Sequence, residues 1–214
     1  MPSHREPGGE PAAAAKGCRT ATPADLPAIA VVHRAAFPDF FTTELGPSFL
    51  RAYYRAVLEY AGGVLVVHEA DGAVSGFAAG FCAPEGFYQE LRGRKLQLAA
   101  ALLPTVLRRP RMLRRIVHNF RRGAGDEPVG PSDSSELSSI AVAPAQGGRG
   151  IGRALIEEFV RRSGEGGARY VYLTTDADAN EPVIGFYEAV GFTVHHTFEG
   201  YAGRRMHEFR REGR

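Results

Sequence analysis

Cysteine is scarce: the 214 residues hold only two, Cys18 and Cys82, and no C-x-x-C pair. Two thiols make no disulfide framework, so a reducing, cytoplasmic compartment is expected. Charge of either sign is nearly balanced at a net +2, which does not advertise nucleic-acid binding. No apolar run approaches the roughly 20 residues that span a bilayer. The N-terminus lacks the apolar core of a signal peptide, and its Pro, Gly and Ala bias reads as a disordered leader over residues 1–17. The seven histidines show no metal-ligand spacing. His195 and His196 fall on an expected strand, where neighbours point to opposite faces, so no metal is assigned. What remains is ordinary for a globular chain, 44% hydrophobic and 23% charged, with length for one domain over 18–212.

The richest stretch is 136–153, ELSSIAVAPAQGGRGIGR. Leu137, Ile140 and Val142 are strand formers, and Pro144 stops the run. Gly147, Gly148, Gly150 and Gly152 then form a tight loop. Ile151, Leu155, Ile156, Phe159 and Val160 follow at helical spacing. A strand, a glycine loop and a helix start make a place for a phosphate. The first N–H groups of a helix have no internal partner, and the helix dipole favours an anion there. A P-loop would need Lys-Ser or Lys-Thr after its last glycine, and none follows. A dinucleotide site would need G-x-G-x-x-G. Gly150 and Gly152 supply two glycines, Leu155 takes the third place, and Asp176 would have to serve as the ribose acid.

Elsewhere the pattern is alternating α and β. A short strand is expected at 18–21 and a helix after Thr22 as N-cap and Pro23 as first helical residue. Phe37, Phe40 and Phe41 form an aromatic cluster that breaks this helix, as core packing or as a wall of an acceptor site. A second helix starts at Pro47. Strands at 64–70 and 73–82 flank an Asp71-Gly72 hairpin turn, with Gly76 and Gly80 marking a bulge or close packing. A helical insertion is expected over 83–133, its helix at 96–107. Arginines 108, 109, 111, 114, 115, 121 and 122 follow, interleaved with Met112, Leu113, Ile116, Val117 and Phe120. This basic amphipathic stretch, 92–122, fits helices packed with a solvated arginine face, a peripheral membrane or anionic-partner contact, or a homodimer contact. A strand at 170–175, parallel to the central one, a helix at 181–190 and strands at 192–198 and 203–209 complete the chain.

Two motifs in order resemble one family. Val142-Ala-Pro144 before Gly147-Gly-Arg-Gly150-Ile-Gly152 is similar to the acyl-CoA loop of the GNAT superfamily of N-acetyltransferases, Arg/Gln-x-x-Gly-x-Gly/Ala. The Arg/Gln place falls on Gly147, with Gln146 one residue early. Asn180-Glu-Pro-Val-Ile-Gly-Phe186-Tyr187-Glu-Ala-Val-Gly191-Phe192 resembles the family's N-x-x-(A/V)-x-x-F-Y-x-x-x-G-F segment.

The resemblance implies an α/β fold with a mixed, mostly antiparallel central sheet, helices on both faces and a basic helical insertion before the central strand. It implies acetyl transfer from acetyl-CoA to a primary amine, by direct attack in a ternary complex without a covalent enzyme intermediate. A small amine or amino sugar is the first acceptor expected, and a protein N-terminus or lysine the second. A non-catalytic acyl-CoA-binding module is the rival reading. The backbone of Ile140, Ala141 and Val142 would hold the pantetheine amides. Gly147, Gly148, Arg149, Gly150, Ile151, Gly152 and Arg153 would ring the pyrophosphate, with Arg149 and Arg153 adding charge. Asn180 would hydrogen-bond the pantetheine arm, and Phe186 and Tyr187 would complete the cosubstrate site. Tyr187 would act as general acid toward the leaving thiolate, or only pack. Glu136 would act as base, or be a solvated strand-end carboxylate.

Overall fold

The computed structural model describes residues 17–114, 130–200 and 203–213. The leader expected over 1–17 lies outside these apart from Gly17, as do Arg115, Ile116, Val117, Phe120, Arg121 and Arg122 of the basic stretch. Seven strands form one sheet: β1 (Cys18–Thr20), β2 (Gly63–Ala70), β3 (Ala73–Cys82), β4 (Ser134–Val142), β5 (Tyr170–Asp176), β6 (Thr193–Glu199) and β7 (Arg205–Glu212). Their order is β1-β2-β3-β4-β5-β7-β6. Every neighbouring pair is antiparallel except β4 and β5. A sheet of this kind is not the parallel, doubly wound sheet of a dinucleotide fold, so that alternative falls. Asp176 is instead ion-paired to Arg204.

Seven helices are described: α1 (Leu26–Ala36), α2 (Phe41–Glu44), α3 (Pro47–Glu59), α4 (Pro84–Gly93), α5 (Lys95–Arg108), α6 (Ile151–Glu165) and α7 (Glu181–Ala189). Strand alternation sorts the sheet into two faces. Val64, Val66 and Ala78 turn toward α6 and α7, where Leu155, Ile156, Phe159 and Phe209 are fully buried. Leu65, Val67, Phe77, Ala79 and Phe81 turn toward α1, α3 and α4, meeting Ile29, Leu50, Tyr54 and Phe87.

Local chemistry sets the boundaries. Asp71 and Gly72 both have positive φ, 52° and 74°, which gives the β2–β3 hairpin the turn whose twist matches its strands. Thr22 does begin a helical segment, through a single 3-10 turn: the Asp25 carboxylate accepts both the Thr22 N–H (2.7 Å) and its hydroxyl (2.8 Å). Gly80 marks close packing and a bulge together. A Cβ there would fall 1.8 Å from the Glu136 carbonyl oxygen, and the β3–β4 register slips between Ala79 and Gly80.

The structure corrects one expectation on β6. His195 and His196 were expected on opposite faces. The β6–β7 register slips between Val194 and His196, so His195 is the extra residue of a bulge. The bulge brings the ligand atoms of His195, His196 and Glu208 within 4.8 Å of one another. Arg210 already binds the Glu208 carboxylate at 2.6 Å. Helices α2 and α4 were not expected. The first lies in the aromatic cluster, and the second opens the stretch between β3 and β4 behind Ala83, whose φ is 49°. Among the described residues no helix is long and apolar enough to cross a membrane.

Candidate active site

The parallel pair β4 and β5 holds for three residues only, Ser134 to Tyr170, Ser135 to Val171 and Glu136 to Tyr172. Beyond Glu136, β4 pairs with β3 alone and β5 with β7 alone. The facing edges from residue 137 onward therefore lack a strand partner, and such an edge accepts amide groups of another chain or ligand. The register slip leaves Ser138 as the unmatched residue of β4, and a bulge adds local twist that helps the strands part.

At the open end of this split, the turn at Pro144–Gln146 leads into the glycine loop and α6. Gly148 and Gly150 have φ of 75° and 76°, and a Cβ on either would meet nothing within 4 Å. Glycine is needed there for backbone conformation, and the space beside it is open. The first helical bond runs from the Ala154 N–H to the Gly150 carbonyl, so the N–H groups of Ile151, Gly152 and Arg153 remain for an anion. Gly152 has another reason: a Cβ would lie 3.1 Å from the Phe186 ring, so the glycine seats α7 against α6. The residues fit a pyrophosphate: open left-handed glycines, free N–H groups and an exposed Arg149.

The structure separates the two arginines expected near the anion. Among the described residues Arg149 makes no ion pair, whereas Arg153 donates to the Ala189 carbonyl at the end of α7 (2.8 Å). Asn180 also has a local task. Its amide nitrogen donates to Thr175 Oγ1 (2.8 Å) and the Asp176 carbonyl (2.9 Å), closing the turn between β5 and α7. A shallow cavity of about 430 Å³ opens beside the loop, lined by Arg149, Gly150, Ile151 and Ala154 and, across from them, Gly17, His68 and Glu69. The Glu69 carboxylate there is ion-paired to Arg19 (3.0 Å).

Glu136 stands where the split begins, on the face of the sheet turned toward α1, α3 and α4. Its carboxylate accepts hydrogen bonds from Tyr88 of α4 (2.9 Å) and Tyr172 of β5 (2.8 Å). It is thus no solvated strand-end acid. Burial and the Glu136 charge push both phenols above their ordinary range, so they stay protonated and can donate. Two more hydroxyl pairs continue this polar face. Tyr53 bonds Ser138 (2.7 Å), and Tyr54 bonds His33 Nδ1 (2.6 Å). His33 reaches Thr42 through its other nitrogen (3.3 Å) and, by burial, is pushed down to about 4, so it is neutral at pH 7. Sequence reasoning selected Glu136 but none of its tyrosine partners. The alternation of Tyr170 and Tyr172 on a strand was the one available signal for Tyr172.

Tyr187 sits on α7 among Phe186, Phe192 and Phe209, with ring centroids 5.4–5.8 Å apart. Burial pushes its phenol up to about 12. Among the described residues its hydroxyl has no hydrogen-bond partner.

Comparison with known proteins agrees with this geometry. The profile of the acetyltransferase (GNAT) family matches residues 26–192. A mycothiol acetyltransferase from Corynebacterium efficiens is 42% identical over 77 residues, covering 33% of this chain and 26% of the relative. The match therefore spans about a quarter of that relative's length. A ribosomal-protein-alanine N-acetyltransferase from Brucella melitensis superposes with a TM-score of 0.61 at 19% identity, covering 91% of this chain and 98% of the other. A Salmonella typhimurium protein solved with its cofactor acetyl-CoA superposes at 0.57 and 18% identity, covering 92% and 93%. At such identities these structures speak for the fold.

Proposed function

Because the chain belongs to the GNAT family of acetyltransferases, we propose that it moves an acetyl group from acetyl-CoA to a primary amine by direct attack in a ternary complex. The observation that carries this reading is the parting of β4 and β5 at Glu136, with the glycine loop at the far end of the same strand. One strand thereby relates an anion cradle to a carboxylate. When bound, acetyl-CoA supplies the activated thioester acyl group.

Each residue then has a task. The unpaired edge of β4 at Ile140, Ala141 and Val142 holds the pantetheine amides. The backbone of Gly147, Gly148, Gly150, Ile151, Gly152 and Arg153 receives the pyrophosphate, and Arg149 adds charge beside it. Asn180 fixes the β5–α7 turn, leaving its amide oxygen toward the pantetheine arm, and Phe186 walls the site. Glu136 takes the ammonium proton, directly or through water, and its two tyrosines hold the carboxylate in place. Tyr187 is fully protonated at neutral pH, as a donor must be. Its raised pKa favours a strong hydrogen bond to the departing thiolate over complete proton transfer, since an ordinary thiol lies near ~8.5.

A small amine or amino sugar is the acceptor this reading favours. The face around Glu136 carries the hydroxyls of Tyr53, Tyr88 and Tyr172, and one relative is named for mycothiol. Thermal shift tests the cosubstrate. At 100 times its Kd a ligand stabilises the fold by about 2.7 kcal/mol, so acetyl-CoA and CoA should raise Tm while NADH does not. Turnover across an amine panel tests the reaction, and Tyr187→Phe should lower kcat with little change in acetyl-CoA Kd. Binding of acetyl-CoA without turnover of any amine or peptide would leave an acyl-CoA-binding module and sink the enzyme.

A further inference from the structure

Helix α5 is apolar on two sides, and among the described residues only one of them is covered. Leu98, Leu102 and Val106 pack with Leu45 and Phe49, and the Thr105 hydroxyl donates to the Leu45 carbonyl (2.8 Å), which fixes α5 against α3. Leu96, Leu103 and Leu107 lie on a second stripe about 120° around the helix, at 100° per residue. They are 88%, 57% and 81% exposed. Three leucines in a row on one exposed helix side form a patch, not scattered single residues.

Along the chain next to this patch the charges are of one sign. Between residues 91 and 114 there are seven Lys and Arg and no Asp or Glu, while the rest of the chain is acidic, 19 against 24. Arg94 is occupied by Glu59 and Glu90. Arg92, Lys95, Arg108, Arg109, Arg111 and Arg114 make no ion pair among the described residues. Six cations without an ion pair among the described residues, on α5 and the chain either side of it, would repel a second copy of the same surface. A nucleic-acid backbone would neutralise the cations and leave the leucines in water. An anionic lipid surface satisfies both: headgroups meet the arginines, and the leucines enter the boundary with the acyl chains.

We propose that α5 docks the protein on an anionic membrane surface, with Leu96, Leu103 and Leu107 inserted and Arg108 and Arg109 at the headgroups. Because α5 rests on α3, the docked side is that of the tyrosine-lined face. The proposal is independent of the acetyl-transfer reading. Sedimentation of the full chain with phosphatidylglycerol–phosphatidylcholine vesicles at low salt tests it, against pure phosphatidylcholine vesicles. Binding should require phosphatidylglycerol and be reversed by high salt. Leu103→Gln with Leu107→Gln should weaken it by at least about tenfold while leaving thermal unfolding unchanged, because neither leucine packs on the fold. No sedimentation at low salt overturns the proposal. So does vesicle binding that the double variant retains in full, or tight binding to a DNA duplex with none to vesicles.

Discussion

Leu155, Ile156 and Phe159 seal one face of the central sheet with hydrocarbon. On the other face Tyr53 and Tyr88 bury rings whose hydroxyls are tied to Ser138 and Glu136 of β4, while Tyr54 and His33 bond each other. The first face is mostly close packing, which holds the glycine loop and α7 in register through contacts such as Phe186 on Gly152, and its few buried polar groups are paired locally, Glu158 with Arg161 and Arg162 and Ser163 with Ser135. The second must satisfy every buried hydroxyl, since an unpaired one costs about 1–3 kcal/mol. A sheet can thus carry a mainly apolar anchor on one side, with Tyr187 at its margin, and a hydroxyl-rich face around Glu136 on the other.

The strongest way to break this division is at Gly80, where both faces depend on one backbone approach. Gly80→Val places its Cβ against the Glu136 carbonyl and should cost upward of about 4 kcal/mol, read as a lost or much lowered denaturation midpoint. Glu136→Gln should leave the fold intact, because the amide oxygen can accept from one of Tyr88 and Tyr172 while the amide NH2 donates to the hydroxyl of the other. It should lower kcat by about 10²–10⁴-fold and shift the pH profile. Unchanged kcat would make the polar face purely structural.

Two smaller tests sharpen the contrast. His33 is held near 4 in the folded chain and near 6.5 in the unfolded one, so the unfolded chain takes the proton first. The stability it permits is complete above pH 6.5 and falls as pH drops toward 4, by up to about 3 kcal/mol. His33→Gln should flatten urea stability across that window. Asp25 is held well below its usual range by Arg19, so its stabilisation is fully present above its ordinary 3.8 and is lost only below the His33 window. Tyr54→Phe should cost about 1–3 kcal/mol by leaving His33 Nδ1 without its hydroxyl, measured by denaturant unfolding.

Much of the apolar face was legible in the chain. The β4 strand, the glycine loop, α6, the β2–β3 hairpin and α7 rest on signals within a few residues: alternation, helical spacing, Pro144, Asp71-Gly72. Glu136 and Tyr187 entered through motif resemblance. Tyr88 and Tyr172 did not, because they reach Glu136 across 48 and 36 residues, and no local pattern encodes that. Helix α4 was missed although Pro84 occupies its first turn, and a one-residue bulge overturned the placing of His195 and His196.

By itself the sequence determined the elements and the phosphate-ready loop, because turn chemistry and hydrophobic period act over a few residues. Only the tertiary structure decided where β4 and β5 part, which hydroxyls hold Glu136, which arginine beside the loop has no ion pair among the described residues and which leucines of α5 are exposed. Those outcomes depend on register and on packing between elements distant in the chain.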